Sequence, residues 1–370
     1  MTSTVAGLAR RFAGFADPDH PVDGALLLAP ATIAAAAEVL DAASEQRIPV
    51  GFRGGGTHLG LGHPVEPHVV LSSRRMDRLV AWHPEDLVAV VEAGMRVADL
   101  EAMLAGRGQS AILPETPGEA TVGGVVAAGV SGWRRLRYGP TRDRVLEVVL
   151  ATGDGRVVRA GGRVVKNVTG YDLPRLATGS LGALGMIGSV ALKLWPIGAV
   201  AATITVADAV GAHLTAFRPL AVIGSDDGDR VYLAGTAEEV AAQAAELGGS
   251  VADGLHWPEP LRTTWQVAIR VPPRLIMDAV SRVPAGWRYR AAHGVGEVIA
   301  GGEQAEIPEL EEGRRWAESV GGAVVRTAAP AGAGFDPWGT PPPSLGLQRR
   351  VKEAFDPLGI CNPGILPGGL

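Results

Sequence analysis

Apolar and polar positions follow one another in short runs along the first half of the chain, and the period switches between that of a strand and that of a helix. Residues 25–28 form a brief apolar run and predict a strand. Pro30-Ala31-Thr32 then opens an alanine-rich helix reaching about Gln46, with Thr32 as its N-cap. Residues 48–53, 69–72 and 87–92 are β-branched strands. Residues 97–105 form a short amphipathic helix that places Val97, Leu100 and Leu104 on one face. Residues 146–151 and 156–160 flank Gly153-Asp154-Gly155, a hairpin signal. A strand over 186–194 closes on Trp195-Pro196.

Beyond Gly198 the pattern changes to shorter pieces, with strands at 201–206 and 265–270 and helices near 237–247, 275–282 and 307–320. Asp336 to Pro343 reads as an irregular linker, and a last helix spans 345–355. These runs predict an α+β protein of two lobes. Residues 1–20 are an N-terminal extension, 21–197 a first domain, 198–335 a smaller α+β cap, and 336–370 a C-terminal segment. No internal repeat is visible at a solenoid period.

Composition narrows the function. The hydrophobic share is 46% and the net charge −5, which argues against a broad basic surface for nucleic acid. A single cysteine, Cys361, cannot by itself build a disulfide, a cysteine-ligated iron–sulfur cluster or a zinc knuckle. Arg10-Arg11 precedes the acidic stretch Ala16-Asp17-Pro18-Asp19 and no apolar run, so no secretory leader is expected. With no bilayer-length apolar segment, the expectation is a cytoplasmic protein that meets a membrane only through partners. The 51 glycines are about twice the usual share of roughly 7%, and they concentrate in a few loops.

Three of those loops could hold a dinucleotide. Phe52-Arg53-Gly54-Gly55-Gly56-Thr57-His58 follows a strand, and its glycines allow several N–H groups to converge on an anion. The same loop is also readable as a tight turn. No helix follows it, so it is not the dinucleotide fingerprint of a Rossmann enzyme. In residues 114–132, Pro117, Gly118 and Thr121 lead to Gly123-Gly124 at a helix start, and Ser131-Gly132 close the stretch. That arrangement suits either a phosphate at a helix N-terminus or close helix packing. The third loop runs from Lys166-Asn167 through Gly170, Tyr171 and Asp172 to Gly179, Ser180, Gly185 and Ile187. It suits either a wall for a planar ligand or a buried turn.

The three loops in this order resemble the FAD-binding domain of the vanillyl-alcohol-oxidase or p-cresol-methylhydroxylase (PCMH) type, over about residues 21–196. Residues 138–150, the Lys166-Asn167…Gly170-Tyr171-Asp172-Leu173 segment and the C-terminal Val351 to Gly364 are similar to the D-lactate dehydrogenase and glycolate oxidase branch. The resemblance implies FAD, with its pyrophosphate at Gly54 to Thr57 and Gly123-Gly124, its flavin along 179–187, and the 336–370 segment packing back on the first domain so that Asn362 returns to the cofactor. Members with a histidyl-linked flavin carry His directly after the paired glycines. Thr57 stands there in this chain, with His58 one further on, which implies non-covalent FAD.

Within that branch the shorter, subunit-E-like members are most similar. His293-Gly294-Val295-Gly296 lacks the acidic residue and asparagine of the catalytic members, and His213, His256 and His293 are widely spaced along the chain with no close pair. Ala183 replaces a threonine common in the catalytic branch, and the cap is reduced. The resemblance therefore implies an FAD-binding subunit of a 2-hydroxy-acid oxidoreductase of the glycolate or D-lactate type. Its partners would be a catalytic FAD subunit and an iron–sulfur subunit. A non-catalytic assembly subunit and a stand-alone alcohol or sugar-acid oxidoreductase are the alternatives. No metal ligands and no catalytic base are assigned, and Tyr171, His293 and Arg270 are candidates for a base. Arg134, Arg135, Arg137, Arg142 and Arg144 are read either as an anion clamp or as a solvated or partner-facing group beside Trp133.

Overall fold

The structure, a computed structural model, describes residues 3–17, 20, 22–163 and 170–370. The chain begins with helix α1 (Ser3–Arg11), whose Val5 and Leu8 are buried together with Phe12 just after it. Strand β1 (Leu26–Leu28) follows, then helix α2 (Ile33–Glu45), started by Thr32, whose hydroxyl accepts the N–H of Ala35 at 3.1 Å. Strands β2 (Val50–Arg53) and β3 (Val69–Ser72) complete a parallel sheet of order β1-β3-β2. Ala36, Val39, Leu40 and Ala43 of α2 share a core with Leu28, Val50, Val69 and Leu71 of that sheet, and Val5 and Leu8 of α1 join it. The N-terminal residues therefore form part of the first lobe's core.

The next elements are β4 (Leu79–His83), β5 (Val88–Glu92), α3 (Val97–Ala105), β6 (Gln109–Ser110), α4 (Val122–Ala128) and α5 (Arg135–Tyr138). After them come the hairpin β7 (Val145–Ala151) and β8 (Val157–Gly161), then α6 (Leu173–Ala177), β9 (Met186–Lys193) and β10 (Trp195–Pro196). Five of these strands form an antiparallel sheet of order β4-β5-β9-β7-β8, and β10 pairs with β6. The buried faces of α3 and α4 close its core, with Leu100, Leu104, Val122 and Val125 fully enclosed. This second sheet places α4 and the start of β9 opposite the end of β2.

The cap repeats one βαββαβ pattern twice. The first unit is β11 (Val200–Val206), α7 (Ala209–Thr215), β12 (Ala221–Ser225), β13 (Asp229–Gly235), α8 (Ala237–Leu247) and β14 (Ser250–Asp253). The second is β15 (Trp265–Arg270), α9 (Ile276–Val280), β16 (Arg288–Ala292), β17 (Glu297–Gly302), α10 (Ile307–Ser319) and β18 (Ala323–Ala328). Their sheets, β14-β11-β13-β12 and β16-β17-β15-β18, join edge to edge through β12 and β16 into one eight-stranded sheet. Asp226 and Asp227 straddle that seam against the buried Arg290, with bonds of 2.6 Å, and against Arg288. Helices cover one face of the sheet, and Trp133 and Tyr138 of the first lobe pack on Ala221, Ile223 and Tyr232 of the other.

Residues 329–344 hold no helix or strand, as the linker pattern predicts. Helix α11 (Leu345–Phe355) then returns to the first lobe, where Val351 and Phe355 pack on the core of the antiparallel sheet. The chain beyond it runs parallel to β2. Val50 donates to Ile360 at 2.8 Å and Asn362 donates back to Val50 at 2.9 Å.

Candidate cofactor site

A cleft of about 660 Å³ opens in the first lobe between the end of β2, helix α4, the start of β9 and the C-terminal segment. The loop after β2 forms its floor. A Cβ on Gly55 would stand 1.6 Å from the carbonyl oxygen of Glu119, and one on Gly54 would stand 2.1 Å from Thr121 Oγ1. The glycines are needed because this loop presses directly on the chain leading into α4. Among the described residues, no protein acceptor takes the N–H groups of Gly54, Gly55, Gly56, Thr57 or His58. Arg53 folds over the same loop, its Nε 3.3 Å from the Cβ position of Gly56, and has no carboxylate partner among the described residues. Unpartnered amides beside an unpaired guanidinium are the features of an anion site.

Helix α4 supplies a different kind of wall. Its first amides are already engaged: Val122 donates to Met95 and Gly123 to Ala93, both at 2.8 Å, and Gly124 donates to the Thr121 hydroxyl at 3.2 Å. A Cβ on Gly123 would come within 2.5 Å of Ala93. The Gly123-Gly124 pair therefore seats the helix on the sheet, and Gly124, Ala127 and Ala128 present a smooth surface to the cleft. The free amides lie in the β2 loop, not at the helix start.

The third wall is the turn into β9. Leu181, Gly182, Gly185 and Ile187 line the cleft, and so does Asn362, whose amide donates to the Leu181 carbonyl at 2.6 Å. Gly179 and Ser180 stand behind this wall and do not line the cleft. The N–H of Gly179 caps α4 by donating to Val126 at 2.9 Å, and its backbone crosses that of Gly129. Asp172 instead caps α6, accepting the N–H of Arg175 at 3.0 Å. Pro117 and Gly118 are the exposed tip of a loop, the Ser131 hydroxyl accepts the N–H of Thr141 at 3.1 Å, and Gly132 turns against Glu115. Lys166 and Asn167 lie outside the described residues.

The cleft thus gathers Arg53, Gly54, Gly55, Gly56, Thr57, His58, Thr121, Gly123, Gly124, Gly185, Ile187 and Asn362. It also holds Asp23, His63 and His68, which carry no motif and gave the sequence reading no signal. Burial lowers the pKa of His58, whose Nδ1 lies 2.9 Å from the Thr57 hydroxyl. None of the base candidates lines the cleft: Tyr171 is 92% exposed, Arg270 is paired with Glu297 at 2.7 Å, and His293 is buried in the cap. Three members of the arginine group brace the structure. Arg134 binds Glu115 at 2.6 Å, Arg137 reaches the carbonyl of Arg218 in the cap, and buried Arg144, its pKa pushed down to about 10, donates to Gly139. Among the described residues no group of His, Cys, Asp or Glu is placed to hold a metal ion.

These features fit FAD. The volume falls within the range of about 300–1,000 Å³ typical of ligand clefts. The free amides and Arg53 suit a pyrophosphate, and the Gly/Ala surface admits a flat ring.

Comparison with known proteins agrees. Residues 24–161 match the family profile described as an FAD binding domain. The glycolate oxidase subunit GlcE of Escherichia coli is 30% identical over 88% of this chain and 95% of its own length. A D-lactate dehydrogenase of Archaeoglobus fulgidus is 38% identical over 43% of this chain, and the match spans only 36% of that protein. The glycolate oxidase subunit GlcD of Bacillus subtilis is likewise 38% identical, over 46% of this chain and 37% of its own length. Among solved structures, alkyldihydroxyacetonephosphate synthase superposes with a TM-score of 0.63 over 92% of this chain and 77% of its own, at 16% identity, which speaks for the fold alone.

Proposed function

Because the chain belongs to the family of FAD-dependent oxidoreductases that contains glycolate oxidase subunit GlcE, we propose that it is the FAD-binding subunit of a flavin-dependent 2-hydroxy-acid oxidoreductase. The substrate class is glycolate or D-lactate. The observation that carries the reading is the β2 loop, with its unpartnered amides and Arg53 at the floor of a cleft of FAD size. The nearly full-length likeness to a glycolate oxidase subunit supports it.

In this reading the N–H groups of Gly54 to His58 hold the pyrophosphate and Arg53 balances its charge. Gly124, Ala127 and Ala128 keep water from the cofactor's inner face. Leu181, Gly182, Gly185 and Ile187 support the flavin ring through backbone contacts, with Asn362 fixing the turn. Bound here, FAD would supply redox chemistry, the acceptance of electrons and their release onward. The attachment is non-covalent.

The chain works in a multi-subunit assembly, with a catalytic FAD subunit and an iron–sulfur subunit as partners. Two relatives named as glycolate oxidase subunits support an assembly. The placement of Tyr171, Arg270 and His293 away from the cleft supports substrate oxidation on the partner, with this FAD passing electrons. Among the described residues no helix is long and apolar enough to cross a membrane, and any membrane contact is made through partners.

Anaerobic addition of glycolate or D-lactate to the FAD-loaded chain tests this. The flavin should stay oxidised with the chain alone and bleach once the catalytic subunit is added. Full bleaching of the isolated chain would instead make it a stand-alone dehydrogenase.

A further inference from the structure

The C-terminal segment contains a buried lysine that touches no part of the cleft yet joins two of its walls. Lys352, on α11, has three ammonium donors, and each finds an acceptor. They are the carbonyl of Ala183 at 3.0 Å, Asp356 Oδ2 at 2.9 Å and the carbonyl of Cys361 at 3.0 Å. The Asp356 carboxylate is itself filled, accepting the N–H groups of Ile360 and Cys361 at 2.9 Å each. This network shapes the turn that sets Asn362 at φ +39°, with its side chain on the carbonyl of Leu181. The same turn pairs with Val50 of β2, the strand that leads into the Gly54 to His58 loop.

One ammonium group therefore ties the turn before β9 to the segment hydrogen-bonded to β2. Such an arrangement fixes the gap between the loop that takes the anion and the wall that takes the ring. We propose that Lys352 is a positioning residue for the cofactor, holding these walls in register through Ala183 and Asn362. The proposal rests on the reading that FAD occupies this cleft. It makes the tightness of FAD and the electronic setting of its ring depend on a side chain that does not contact it.

The test compares wild type, Lys352→Met and a cap control, Arg290→Met. For each, the FAD dissociation constant, the visible flavin spectrum, the midpoint potential and the melting temperature are measured. Lys352→Met should weaken FAD by about tenfold or more, equivalent to about 1.4 kcal/mol, and shift both spectrum and potential. Arg290→Met should lower the melting temperature while leaving all three flavin readouts unchanged. Unchanged flavin readouts in a folded Lys352→Met protein would overturn the proposal. A wild type that takes up no FAD would count against the cleft assignment instead.

Hydrogen exchange on the wild type needs no variant. FAD should raise the protection of residues 180–185 and 356–362 together. Protection gained only at 54–58 would count against Lys352.

Discussion

At Gly55 the space for a side chain is already taken, since a Cβ there would meet the Glu119 carbonyl oxygen at 1.6 Å. Backbone cannot yield as the end of a side chain can, so Gly55→Ala must push the β2 loop away from the chain before α4. The expected outcome is FAD binding weakened by about tenfold or more in a fluorescence titration. Gly346→Ala, on α11 with nothing near its Cβ position, should leave binding unchanged. Histidines give a second residue-scale prediction. Burial lowers the pKa of His58 and His293 below the ordinary 6.5, so the unfolded chain binds their protons first as pH falls. Their contribution to stability is full above that value and is lost progressively as pH drops through the lowered folded values. Denaturant melts should show a decline beginning near 6.5, and His293→Gln should flatten part of it. Sequence pattern located the glycines, and their meaning came from geometry. Gly54, Gly55 and Gly123 are small because protein approaches them, and the room for a ligand is a consequence of that approach.

Helix α4 shows how an element can be legible while its role is not. Paired glycines at a helix start suggest free amides, but Met95 and Ala93 supply the acceptors from a chain far away in sequence. Thr121 is its N-cap, and Thr121→Val keeps the volume while removing the cap. A loss of about 1 kcal/mol in urea melts is expected, with Thr121→Ser keeping most of the wild-type stability. Elements with a strong period were readable: α2 with its Thr32 cap, α3 with its buried face, the β7–β8 hairpin and α11. Several cap strands were not. β12 reads Ala-Val-Ile-Gly-Ser and is buried at every position, so it shows no alternation. β16 and β17 likewise end in small residues buried on both faces. Asp172 looked like a ligand because a polar residue stood among small ones, and no local pattern separates a helix cap from a binding group.

Across the whole molecule, the doubled βαββαβ unit was invisible in sequence because its two copies share topology without sharing a visible residue pattern. The seam between them is held by Asp226, Asp227, Arg288 and Arg290. Arg290→Met should destabilise the cap by about 2 kcal/mol, below the usual range for a buried pair because both carboxylates are partly exposed and keep Arg288. Differential scanning calorimetry would read that loss. The cap meets the first lobe on Trp133 and Tyr138 and, through Thr327 of β18, at Gly60 beside the cleft-lining Leu59 and Leu61, while the residues lining the cleft all come from the first lobe and the C-terminal segment. The most direct test of that site is the absorbance spectrum of the purified chain, expressed alone and incubated with FAD. After desalting, the protein should keep a flavin spectrum, and acid precipitation should release all of it to the supernatant. A protein that stays colourless after incubation with FAD would contradict the cleft as a cofactor site.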